Sequence, residues 1–95
     1  MDKYLSNIGL CNKAGYVIAG TEMVCEYMAS GKVKYIFLAS DASNNTKKKI
    51  LNKANYYSVE VYEGYSSLQL SHAVGKVGRM VLGITSENFV KILRK

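Results

Sequence analysis

The 95-residue chain has no proline, a single histidine and only two cysteines. Without proline, chain breaks must come from glycine, asparagine and serine. Cys11 and Cys25 do not form a CxxC pair, and His72 lies far from both in sequence. A zinc site needs about four nitrogen, sulfur or oxygen ligands, so no metal and no cofactor are expected. Two buried thiols in a reducing compartment are expected instead. No apolar run is long enough to cross a bilayer, and Met1-Asp2-Lys3-Tyr4 carries no signal-peptide core. A cytoplasmic location without a membrane partner follows as the expectation. The tail Phe89 to Lys95 is the one stretch with a trace of cationic amphipathic character. A catalytic constellation is also missing. His72 has no partner implied by spacing, and there is no paired-carboxylate, dinucleotide-binding or Walker spacing, so the chain is not expected to be an enzyme.

Acidic residues are scarce. Seven Asp and Glu stand against thirteen Lys and Arg, a net charge of +6 with a pI of about 9.4. On so small a body this favours a polyanionic partner. Hydrophobic residues make up 48% of the chain, enough to offset the entropy of ordering one core. The length suits a single domain over residues 1–95.

The hydrophobic pattern alternates between two periods. Leu5, Ile8 and Cys11 recur at helical spacing up to Gly15. Val17-Ile18-Ala19 suits a short strand, and Gly20-Thr21 opens a helix carrying Val24, Tyr27 and Met28, closed by Gly31. Tyr35 to Ala39 is a continuous apolar run of the kind covered on both faces. Asp41, Ser43 or Asn45 can cap a helix containing Lys47-Lys48-Lys49, Ile50, Leu51 and Ala54. Val59 to Tyr62 reads as a strand, Ser66 or Ser67 starts a helix, Met80 to Ile84 is another buried strand, and Ser86 caps the last helix. Strands alternating with helices predict an α/β fold: a three-layer α/β/α sandwich around a mixed sheet of about four strands.

Three places offer chemistry. At Gly20-Thr21-Glu22, free amides at a helix start suit a phosphate or an electronegative base edge, and Glu22 can accept from a base N–H; Thr21 as a mere cap is the alternative. Gly75-Lys76-Val77-Gly78-Arg79 is flexible and cationic enough to fit an RNA backbone, or is a helix cap with solvated charges. Arg79, at the start of a strand, can instead pair with an internal acid. Lys47-Lys48-Lys49 with Lys53 reads first as a solvated helix face, with long-range attraction of RNA as the alternative. Tyr16, Tyr56, Tyr57 and Tyr65 lie near element ends, where an exposed ring can stack on an unpaired base.

These segments are similar to markers of the ribosomal protein L7Ae/L30e family, whose members bind kink-turn RNA. The first marker is Leu10-Cys11-Asn12-Lys13-Ala14-Gly15 followed by Gly20-Thr21-Glu22-Met23-Val24. The second is the strand and acidic turn Tyr35 to Ser43. The third is Leu70 to Arg79, which follows the pattern L-G-x-A-x-G-K-x-x-R with Ser71 in place of glycine. The chain most resembles the small bacterial members, over nearly its whole length. The resemblance implies an α/β/α sandwich in which Gly20-Thr21-Glu22 and the Gly75 to Gly78 loop converge on one RNA surface. It further implies that Val77 touches an extruded nucleotide. The implied RNA-binding set is Lys13, Gly20, Thr21, Glu22, Met23, Asp41, Gly75, Lys76, Val77, Gly78 and Arg79. The implied partner is a kinked rRNA or mRNA, with the ribosome as a further partner of a monomeric protein. Glu22, Glu26 and Met23 depart from the family, which usually has Asn or Lys, Lys and a polar residue there. Those two acids favour a second reading, a protein-binding module of the same fold.

Overall fold

A computed structural model describes residues 2–94; Met1 and Lys95, the ends of the expected domain and of the cationic tail, lie outside the described residues. Helices and strands alternate as α1 (Lys3–Lys13), β1 (Val17–Ala19), α2 (Thr21–Ala29), β2 (Tyr35–Leu38), α3 (Asn44–Tyr57), β3 (Glu60–Tyr62), α4 (Ser67–Ala73), β4 (Val81–Ile84) and α5 (Glu87–Leu93). The helix starts have local causes. Asp2 caps α1, Ser43 caps α3, Ser86 caps α5, and Ser66 with Gln69 forms a reciprocal capping box on α4. At α2 the cap position is Gly20 rather than Thr21. Its φ of 108° is accessible to glycine without strain, and no side chain caps the helix.

The strand order is β1-β4-β2-β3. β2 and β3 are parallel, and β4 runs antiparallel to both of its neighbours, so the sheet is mixed. β2 and β4 are buried at every position, as strands covered on both faces must be. α1 packs with α4 and α5 in one layer, and α2 packs with α3 in the other. The core between the layers is built on Ile8, Met28, Ile36, Phe37, Leu38, Ile50, Leu70, Leu82, Ile84 and Leu93. This is the three-layer α/β/α sandwich that the alternating periods predict. The C-terminal tail forms α5, with Val90 and Leu93 buried in that core.

The register decides where the candidate residues meet. Ala19 pairs with Leu82, Leu38 with Val81 and Phe37 with Tyr62. The C-terminal ends of β1, β2 and β3 therefore lie at the same end of the sheet as the start of β4. Open α/β sheets characteristically take ligands at the carboxyl ends of their strands.

Candidate nucleic-acid interface

Backbone hydrogen bonds stitch the loops at this end together. Gly20 N–H donates to Val81 O at 3.0 Å, Ala39 N–H to Met80 O at 2.7 Å, and Ser40 N–H to Tyr65 O at 2.8 Å. The first bond sets the start of α2 beside the end of the Gly75 to Arg79 segment, so the two candidate stretches are neighbours. With no side chain capping α2, the amides of Thr21, Glu22 and Met23 open toward this end, where the helix dipole is positive. Met23 is half exposed beside them.

Glu22 is not an isolated acid. Its Oε1 accepts from Lys49 Nζ at 2.6 Å, across the gap between α2 and α3. That hydrogen bond and the lysine's charge hold the Glu22 carboxyl below its ordinary value, and the same contact raises the Lys49 ammonium. Part of the Lys47-Lys48-Lys49 run, read first as a solvated face, is thus tied to the start of α2. Asp41 is held within the fold. Its Oδ1 accepts from Ser67 N–H at 2.7 Å and its Oδ2 from Ser67 Oγ at 2.6 Å, tying the loop after β2 to the first residue of α4. These two bonds lower its pKa. Asp41 therefore positions α4.

The Gly75 to Gly78 loop is held at both ends. Lys76 N–H donates to Ser71 O at 2.9 Å, and Arg79 N–H donates to Ser71 Oγ at 2.7 Å. Gly75 and Gly78 both have positive φ, 66° and 68°, which turn the chain out and back. Val77 is carried to the tip and is 89% exposed, an unusual position for a β-branched apolar side chain. Leu68 on α4 is also exposed. A shallow cavity of about 210 Å³ lined by Ser67, Leu68, Ser71, His72, Lys76, Val77 and Gly78 separates helix from loop. Arg79 does not pair with an internal acid among the described residues, and its buried Nε has no hydrogen-bond partner. Lys13 ends α1 next to Asn12, whose amide donates to Val74 O at 3.3 Å, so it stands near the root of the loop.

Of the four tyrosines offered for stacking, Tyr65 is buried against Phe37 and Tyr62, whereas Tyr16, Tyr56 and Tyr57 are exposed. Sequence reasoning gave no site role to Ser67, Leu68 or Ser71 and did not pair Lys49 with Glu22. Ser71 carried a signal, since it stands where the resembling pattern has glycine. Lys49 and Lys53 carried another, as an i,i+4 pair on α3 opposite in sign to Glu22 and Glu26 on α2.

A larger cavity, about 520 Å³, lies between the C-terminal ends of α2 and α3 and the side of α5. Helix C-termini present carbonyl oxygens, which disfavour an anion. Burial raises the thiol of Cys11 to about 11 and also raises that of Cys25. Both cysteines are free and buried. Among the described residues no three His, Cys, Asp or Glu side chains cluster as a metal site, and no helix is long and apolar enough to cross a membrane.

Comparison with known proteins bears on the family and the fold. Residues 2–94 match the model of the Ribosomal protein L7Ae/L30e/S12e/Gadd45 family. The chain is 39% identical over 89 residues to the RNA-binding protein YlxQ of Enterococcus faecium, covering 94% of this chain and 85% of the relative. It is 35% identical over 86 residues to the RNA-binding protein YlxQ of Bacillus subtilis (strain 168), covering 90% and 86%. A Bacillus halodurans C protein of unknown function superposes with a TM-score of 0.94 at 34% identity, over 98% of this chain and 94% of the other. A Giardia lamblia 15.5kD RNA binding protein shares the fold, with a TM-score of 0.78 at 18% identity over 94% and 79%. With the family model spanning nearly every residue and the fold in agreement, the chain belongs to the ribosomal protein L7Ae/L30e/S12e/Gadd45 family.

Proposed function

We propose that the chain is a non-catalytic RNA-binding protein that grips a sharply bent, kink-turn-like RNA at the end of the sheet where β1, β2 and β3 finish and β4 begins. The observation that carries this is the hydrogen bond from Gly20 to Val81, which sets uncapped helix amides beside a cationic loop with an apolar tip. Amides and Lys76 suit phosphate and electronegative base edges. Val77 and Leu68 offer apolar surface to a base that has left its stack. Regular A-form RNA hides its base edges and keeps its bases stacked, so a distorted RNA is the natural ligand. The RNA-binding relatives support the same partner class. We place the protein in the cytoplasm as a monomer, with a kinked rRNA or mRNA as partner and association with the ribosome. The protein-binding alternative loses much of its force, because the Glu22 charge that favoured it is matched by Lys49.

Titration of the purified protein with a kinked RNA and with a straight duplex, across a salt series, tests the proposal. Specific recognition keeps the kinked RNA ahead at every salt concentration. Equal binding to both, falling steeply together with salt, would reduce the protein to a general polycation and overturn the bent-RNA reading.

A further inference from the structure

α3 carries charge of one sign only. Its 14 residues include Lys47, Lys48, Lys49 and Lys53 and no acid. Ile50 and Ala54 turn into the core. At about 100° per residue, the opposite side of the helix displays Lys48, Asn52, Asn55 and Tyr56, with Lys49 and Lys53 on the flank toward α2. The contact between Lys49 and Glu22 makes this face continuous with the sheet-end interface. At its far end Tyr56 is 79% exposed, and its ring stands edge-on to Tyr57 at 4.8 Å, so it is oriented rather than free. The helix is about 21 Å long at 1.5 Å per residue, a span of several nucleotides.

We infer that the outer face of α3 is a second RNA contact and holds an unpaired strand running on from the bent RNA. This rests on the RNA-binding function proposed above. The composition selects the ligand. Lysine meets phosphate, the asparagine amides pair a donor with an acceptor as base edges do, and Tyr56 stacks on an exposed base. A duplex would use only the lysines, because its edges and base faces are covered. No acid on the helix opposes the strand.

The test compares four RNAs sharing one bent loop: blunt, extended by about six unpaired nucleotides at one end, extended likewise at the other end, and extended by a duplex. The unpaired extension should tighten wild-type binding about tenfold at one end. Lys48→Ala should remove at least about threefold of that gain and Tyr56→Ala most of it, with affinity for the blunt RNA unchanged. Both side chains are exposed, so neither variant should disturb folding. An extension that adds nothing, or a gain that survives both substitutions, overturns the inference. So does a duplex extension that gains as much and ignores Tyr56→Ala. Failure of the wild-type protein to bind even the blunt bent RNA would instead overturn the underlying function.

Discussion

Replacing Ser71 by alanine should loosen the Gly75 to Arg79 loop at one defined point. Ser71 is 4% exposed, and its hydroxyl is the link between the middle of α4 and the residue where the loop ends. It accepts from Arg79 N–H at 2.7 Å and lies 3.3 Å from Arg79 O. The first contact is short and strong; the second is long for an O–H donor and adds little. Alanine therefore leaves one partly buried amide without its acceptor, which costs roughly 1–3 kcal/mol. The site is only partly closed to water, so the lower half of that range applies, about 1.5 kcal/mol. In a domain of this size that lowers the thermal midpoint by about 6–12 °C.

The other anchor, Lys76 N–H to Ser71 O, involves only backbone and survives the change. The loop should keep its root at Gly75 and lose its hold at Arg79. Ser71→Gly, which restores the residue of the family pattern, should be less stable than Ser71→Ala by about 1 kcal/mol, because glycine is the poorer helix former. Urea unfolding gives the stability, and titration with a kinked RNA gives the consequence, a several-fold weaker complex from a less organised loop. An alanine variant as stable as wild type, binding RNA equally well, would show that the hydroxyl does not hold the loop.

Lys76→Ala should weaken binding to all RNAs about equally and reduce the salt slope by about one, readable from titrations at several salt concentrations. Glu26→Lys, one turn beyond Glu22 on the exposed side of α2, should tighten kinked-RNA binding by up to about tenfold at moderate salt and less as salt rises; a folded variant that binds no better would place Glu26 away from the RNA. Asp41 and Glu22 are held below their ordinary values of 3.8 and 4.5, so the stability they contribute is present above those values and lost as pH falls through the lowered ones. Thermal melts should therefore decline from about pH 5 to about pH 3, and decline less in Asp41→Asn. In a cycle of Glu22→Gln, Lys49→Met and the double variant, Lys49→Met alone should weaken RNA binding most, because it leaves an uncompensated carboxylate; additive effects would show that the pair does not act as a unit.

How much of this was legible in the sequence follows from interaction range. β2 and β4 announced themselves as continuous apolar runs, and serines at the right spacing marked three of the helix starts. Both are local signals. The side-chain links that organise the site are not. Glu22 and Lys49 are 27 residues apart, and Asp41 and Ser67 are 26 apart. No periodicity rule joins such pairs, so neither the tie from Asp41 to Ser67 nor the pairing of Lys49 with Glu22 could be read from the sequence. Tyr65 was misplaced for a related reason. It follows β3 in an apparent loop, but the parallel pairing of β3 with β2 brings it onto Phe37.

Glu22 shows how sign alone misleads. Along the sequence it is an acid in a stretch that resembles an RNA-binding marker, and acid repels phosphate. In the fold it sits in the first turn of an uncapped helix, where a carboxylate is favoured by the dipole, and within 2.6 Å of an ammonium. Seen from an approaching phosphate, the pair carries little net charge, while the amides of α2 and the side chains of Lys53 and Lys76 remain. An exposed pair of this kind adds little stability by itself. Core packing already sets α3 beside α2, and the pair joins their exposed flanks, so that a lysine-rich helix borders the amides. The apparent departure from the family at Glu22 and the lysines of α3 are thus two halves of one arrangement.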